Sequence, residues 1–385
     1  MVFSLLRQEC GMWLKNILFY AYVIILIVFY ISQMDTSVLV KPVPGGDNYG
    51  IVYTTDETVI MEHTLRNLVG EYERRSFTTY PIGFYKEVIP DEDALRRIGS
   101  IITDITGQPE EQWAGGEMPC VREGLSFSEF QGAMAEVSAL VGPGSNYAEE
   151  NLRRTDVPMT YEEALKEYEA ICETDHVTGA YARLFCDYVG IILGVLPAFF
   201  GVARVMRDKR SDAAQVLYTK SAPSAAVTAA RYLAMVIVMF VPVLIVSCFA
   251  ASQYIYMAKA LGVAPDYLAF AKYSVLWLLP TILFVTAVSY LITELTESVL
   301  SVLVCCVLWF CTVFMGSGLG LRFVGLSMIP RFNTAGATEQ FMDMLLELIQ
   351  NRLAYSAAAV LLVIVTGLIY EKKRRGGMGS GRKIR

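Results

Sequence analysis

Catalysis needs a nucleophile, an acid–base pair or a metal set at a workable spacing, and this chain offers few of them. It has two histidines, His63 and His176. No H-E-x-x-H, C-x-x-C or G-x-S-x-G pattern appears, so zinc-hydrolase, dithiol and nucleophile-elbow chemistry lack their motifs. No G-x-x-x-x-G-K-[ST] appears, so no P-loop cradles a nucleotide. The acidic pairs at Asp91-Glu92-Asp93 and Glu162-Glu163 read as helix starts and solvated faces. Gly316-Ser317-Gly318-Leu319-Gly320 reads as a site of close packing or a bend. The chain is expected to be non-catalytic, with no metal and no cofactor of its own.

The composition says what such a chain is built for. Hydrophobic residues make up 54% of its 385 residues and charged residues 18%, and mean hydropathy is +0.43. Soluble domains carry about 25% charge. The deficit is concentrated. Six runs free of Asp, Glu, Lys and Arg lie at 16–34, 188–203, 232–258, 273–293, 298–321 and 353–370. A membrane-crossing helix needs about 20 mostly apolar residues. Five runs qualify directly, and the second qualifies once extended back to about 180.

The expected fold class is an α-helical integral membrane protein with six transmembrane helices. A mostly helical α+β extracellular domain is inserted after helix one. The expected divisions are an N-terminus at 1–15, span one at 16–34, the external domain at 35–179 and span two at 180–206. A loop at 207–228, span three at 229–258, span four at 273–293 and span five at 298–318 follow. A re-entrant segment at 319–351, span six at 353–370 and a basic tail at 371–385 complete the chain. Lys and Arg favour short cytoplasmic segments. They gather before span one, between spans two and three, and after span six, which puts both termini in the cytoplasm of a multi-pass cell-membrane protein. Trp13, Tyr273, Trp277, Tyr290 and Tyr370 fall near the expected interfaces.

The external segment at 35–179 holds 27 acidic and 11 basic residues, a net charge of −16. Asp91 is placed to cap a helix stopped by Gly107, and Ser126 with Glu129 makes a capping box, as does Thr160 with Glu163. The last of these helices can run on into span two. Residues 51–55, 77–80 and 84–88 read as short strands. Cys120 and Cys172 are both external and can pair in an oxidising compartment, although their spacing does not fix it. The spans carry no ionisable residue near their centres, which disfavours a proton-coupled carrier.

Between spans two and three the chain reads Arg207-Asp208-Lys209-Arg210, then Ala213, Val216, Leu217 and Tyr218 in a short amphipathic stretch, then Pro223-Ser224. Two readings fit this loop: an interfacial helix held by anionic lipid, or a docking knob for a cytoplasmic partner.

A charged turn, a short helix with Val-Leu-Tyr and a Pro-Ser before the next span resemble the coupling loop of ABC-2 type transporter permeases. The six-span layout with an external domain after span one is similar to the branch of bacterial exporters with a large extracellular insertion. The resemblance implies a partner permease, identical or related, and separate ATPase subunits that supply ATP and Mg. It implies that Arg207, Asp208, Lys209, Arg210, Ala213, Val216, Leu217, Tyr218, Pro223 and Ser224 contact the ATPase. Glu294 and Glu297, in the turn after span four, are candidates for a second contact. It also implies short re-entrant helices at 319–329 and 338–351. Drug, peptide or lipid-like export is the expected function. The alternative is a membrane-anchored sensor or assembly factor whose external domain binds a ligand.

Overall fold

The computed structural model describes residues 2–34, 39–46, 48–54, 56–81, 84–114, 119–152, 155–210, 222–314, 325–332 and 334–376. Helix accounts for 73% and strand for 3%. The chain divides into two compact units. One is built from Met1–Lys41, Lys166–Gly316 and Leu321–Arg385, the other chiefly from Pro42–Leu165.

The smaller unit shows local signals acting as expected. Strand β1 (Ile51–Thr54) pairs antiparallel with β4 (Thr155–Pro158). Strand β2 (Phe77–Thr79) pairs with β3 (Lys86–Val88). Helix α3 (Glu57–Arg74), which no capping motif announced in the sequence reading, starts where the Asp56 side chain accepts hydrogen bonds from the Thr58 and Val59 amides. Asp91 caps α4 (Glu92–Thr106) through the Ala94 amide at 2.8 Å, and left-handed Gly107 ends it. A short α5 (Glu110–Trp113) follows. The capping box of Ser126 and Glu129 opens α6 (Phe127–Val141), and α7 spans Glu149–Leu152. Leu65, Leu68, Ile98, Ile102, Phe130 and Met134 form the core of these helices. Their i, i+3, i+4 spacing puts them on the inward faces.

Helix α8 (Tyr161–Glu173) begins with reciprocal bonds between Thr160 and Glu163. It stops short of the next long helix rather than running on into it. His176 and Val177 take left-handed φ values of 52° and 63°, and the Val177 amide turns back to the Ile171 carbonyl at 2.8 Å. A β-branched residue in that region is a genuine outlier, and here it makes the corner.

Among the described residues of the larger unit, four helices are long and apolar enough to cross a membrane, or five if a bent pair counts as one span. The pair is α1 (Val2–Trp13) and α2 (Ile17–Gln33), bent by 71° at Asn16, whose side chain caps α2. Helices α9 (Thr178–Leu193) and α10 (Leu196–Arg210) lie in the first long candidate, Thr178–Lys209. Helix α11 (Ser224–Ala260) is the second. The third joins α12 (Ala269–Tyr273), a π-helical turn (Ser274–Leu278) and α13 (Leu279–Thr296). The shorter apolar α14 covers Leu300–Phe314, and α15 (Thr338–Arg374) is the fourth long helix.

Two expectations change here. Residues 338–351 are not a separate short helix but the first turns of the 37-residue α15. No proline or glycine interrupts that helix before Gly367. Residues 325–330 are turns and bends rather than helix, and 319–324 lie outside the described residues. Of the aromatic residues expected near interfaces, Trp13, Trp277, Tyr290 and Tyr370 are buried within the unit. Trp13 packs on Phe200 and Trp277 stacks on Phe341. Ring-to-ring packing holds these side chains inside the bundle.

Candidate functional site

One end of the larger unit gathers the end of α10, the start of α11, the turn from α13 to α14 and the end of α15. Pro223 occupies the position before α11, where its missing amide hydrogen costs no helical bond. The Ser224 hydroxyl donates to Glu371, and Arg374 donates to the Ala222 carbonyl at 2.8 Å. These contacts tie the first turn of α11 to the last of α15.

Glu297 makes the turn between α13 and α14 with a left-handed φ of 51°. Its carbonyl accepts from Lys209 Nζ at 3.2 Å, and its carboxylate lies 3.4 Å from the same ammonium. Lys373 of α15 donates to Glu297 Oε1 at 3.0 Å and to the Glu294 carbonyl, and pairs with the Glu294 carboxylate at 3.5 Å. The hydrogen bond from Lys373, assisted by Lys209, holds the Glu297 carboxyl below the usual carboxylate range.

Beside this turn sits a group that the sequence reading did not assemble. Glu9 of α1 accepts from both ends of the Arg204 guanidinium at 2.6 and 2.8 Å. Asp208 accepts from Arg204 at 2.8 Å and pairs with Arg231 at 2.6 Å. Arg231 also lies 5.3 Å from the centre of the Tyr370 ring. Two carboxylates face two guanidiniums, so the cluster is neutral although Arg204 and Arg231 are about 5% exposed. In the sequence Arg204 and Arg231 stand only as charges bordering the runs at 188–203 and 232–258. Their positions at the run edges were the available signal; Glu9 offered none beyond lying on a short amphipathic helix.

Of the expected coupling residues, Asp208, Lys209, Pro223, Ser224, Glu294 and Glu297 therefore meet at this end. Arg207 is exposed on α10, and Arg210 is its last residue. Ala213, Val216, Leu217 and Tyr218 lie outside the described residues. Cys120 is an exposed free thiol and Cys172 a half-buried one. Burial pushes the Cys172 thiol up, more strongly than its bond with Tyr168 lowers it. Among the described residues, no three of His, Cys, Asp and Glu gather closely enough to hold a metal ion.

A second set of buried charges belongs to the same unit. Arg183 pairs with Asp175, and both are at most 2% exposed. Asp187 pairs with Arg331 at 3.3 Å. Arg352, 4% exposed, lies within α15. Of these residues only Asp187 and Arg352 border a charge-free run, and the runs themselves gave no sign that they are buried. The arrangement joins helices and holds turns.

Compared with known proteins, the chain matches no family model, no curated protein and no solved structure. The functional reading rests on the residues and their geometry.

Proposed function

We propose that the chain is the permease subunit of an ATP-driven exporter of the ABC-2 type, worked by separate ATPase subunits bound at the end where α10, α11, α13 and α15 converge. In this reading the bent pair α1–α2, the four long helices and α14 make six spans, and the acidic unit lies outside the cell. The observation that carries it is the bracing of both ends of the expected coupling loop at 207–228. Asp208 and Lys209 hold the incoming end to α11 and to the turn at Glu297. Ser224 holds the outgoing end to α15. A partner pushing on that loop would move four helices together, because charged bonds at close range join them. ATP and Mg would be bound by the partner, and a second permease would complete the path for a drug, peptide or lipid-like substrate.

The test is co-purification with an ATPase whose hydrolysis rate this chain alters, followed by Val216→Asp together with Leu217→Asp. Loss of the complex, or of ATPase stimulation, is expected. Intact assembly and coupling would remove the docking role. A chain that binds no ATPase but does bind a ligand through its acidic unit would instead be a membrane-anchored sensor.

A further inference from the structure

Residues 325–332 and 334–337 lead into α15 without regular structure, yet Met328 and Ile329 are buried. Irregular backbone inside a helix bundle must find partners for its carbonyl groups. Here side chains from the helices supply them. Asn351 donates to the Gly325 carbonyl at 2.5 Å and the Ser327 carbonyl at 3.1 Å. Arg352 Nη2 donates to the Ser327 and Met328 carbonyls at 3.0 and 3.2 Å. Its Nη1 donates to the Thr281 hydroxyl at 2.9 Å and to the carbonyl of Trp277, in the π-helical turn, at 3.3 Å. Its Nε donates to Asn351 Oδ1 at 2.8 Å. All three guanidinium nitrogens are engaged, and none of these partners is a carboxylate. The group is therefore committed to holding the segment and has little capacity left for an anion.

The other end is fastened by a separate device. Asp175 accepts from Arg183 and from the Thr338 hydroxyl. Arg183 also donates to the Ala335 carbonyl at 3.2 Å. Both backbones at this joint are strained, with left-handed Val177 on one side and left-handed Ala337 on the other. Such strain persists only where surrounding contacts enforce it.

Between the two fastenings, Ile329 sits on Gly190 and Gly194. A Cβ on Gly194 would overlap Ile329 Cδ1 and come within 2.8 Å of Trp309 Cδ1, so a side chain there requires one of the two to shift. Trp309, one of the two side chains at this notch, also lines an open cavity of about 620 Å³ at the break between α9 and α10. Its walls include Phe29, Ile192, Val195, Leu196, Cys306 and Trp309. The Trp309 indole N–H is already used on the Ile191 carbonyl at 2.8 Å. Ile329 itself belongs to an interior cluster with Val285, Met328 and Cys305, the last 2% exposed.

We propose that residues 325–332 and 334–337 form a latched plug: Ile329 separates the apolar cavity from the interior cluster, and Arg352 and Arg183 hold it shut. Releasing the Arg352 latch frees residues 325–332 and opens a way from the cavity to Cys305. Displacing Ile329 at the Gly194 notch does the same without touching the latch. This device stands apart from the coupling reading and does not depend on an ATPase.

The test uses the full-length chain in lipid nanodiscs. Hydrogen exchange is followed over 325–332, and maleimide labelling of Cys305 is followed with the other seven cysteines replaced. Arg352→Met is expected to speed exchange at 325–332 about tenfold, the signature of a local opening. Arg352→Lys, which keeps the charge but loses the planar fork, should give an intermediate rate. Gly194→Ala should raise Cys305 labelling while leaving exchange on the α6 helix unchanged. Unchanged exchange in Arg352→Met would overturn the latch, and unchanged labelling in Gly194→Ala would overturn the plug. Exchange rising equally across α11, α13 and α15 would make Arg352 a general folding residue and overturn the proposal too.

Discussion

Glu9 on the first helix and Arg204 on α10 are 195 residues apart in sequence and bonded through both carboxylate oxygens, at 2.6 and 2.8 Å. The pair fastens the amphipathic N-terminal helix to α10. Glu9→Gln leaves Asp208 alone against two buried guanidiniums. Removing one partner of a buried pair costs about 3–5 kcal/mol. A clear fall in Tm is expected in detergent. Adding Arg231→Gln restores charge balance, so the double variant should be more stable than the sum of the singles predicts, which a double-mutant cycle reads directly.

The two lysines at the Glu297 turn should behave differently. Lys209 is 53% exposed and Lys373 10% exposed. Lys209→Ala should change stability by less than about 1 kcal/mol, as exposed pairs do. Lys373→Met strands the buried Glu294 and should cost several times more, about 3 kcal/mol. Equal thermal shifts for the two variants would contradict this ranking.

Acid should weaken the α6 helix through its capping box. The Ser126 side chain holds the Glu129 carboxyl below its usual value of 4.5. A depressed folded-state pKa contributes stability that is present above the unfolded value and lost as pH falls through the folded one. Ser126→Ala should therefore flatten the dependence of stability on pH below 4.5, measured by exchange at the amides of the first turn of α6. An unchanged slope would assign the acid sensitivity elsewhere, with Glu136, also held low by its bond with Arg97, the next candidate.

Gly201 permits the close approach of α10 and α13. A Cβ there would lie 2.5 Å from the Ser289 hydroxyl and 3.0 Å from the Tyr290 amide nitrogen. That hydroxyl donates to the Ala198 carbonyl at 2.6 Å. Gly201→Ala should cost about 1–3 kcal/mol through overpacking. Gly132→Ala, with open space around it, serves as the control and should be neutral or slightly stabilising.

Local signals in the chain were readable because they act within a few residues. Asp91, Ser126 with Glu129, and Thr160 with Glu163 start helices through bonds to amides two or three positions away. The long apolar runs announced long helices because burying their backbone amides requires internal hydrogen bonds. The same runs end at Arg204, Arg231 and Arg352, and the folded chain buries all three, which absence of charge along a run does not reveal.

By itself the sequence determined which stretches are apolar, where capped helices begin and that the segment at 35–179 is strongly acidic. Tertiary structure alone decided which charges meet. Nothing near Glu9 in the chain names Arg204, and nothing near Arg352 names the carbonyls of Ser327 and Met328. The physical reason is range. Capping and periodicity are fixed by neighbours along the chain, whereas a buried charge is tolerated only where packing brings distant partners to it. The same rule explains the helix breaks. The corner at Val177 and the turn at Glu297 hold left-handed residues that local preference alone would not choose, and the contacts of Asp175, Lys209 and Lys373 keep them there.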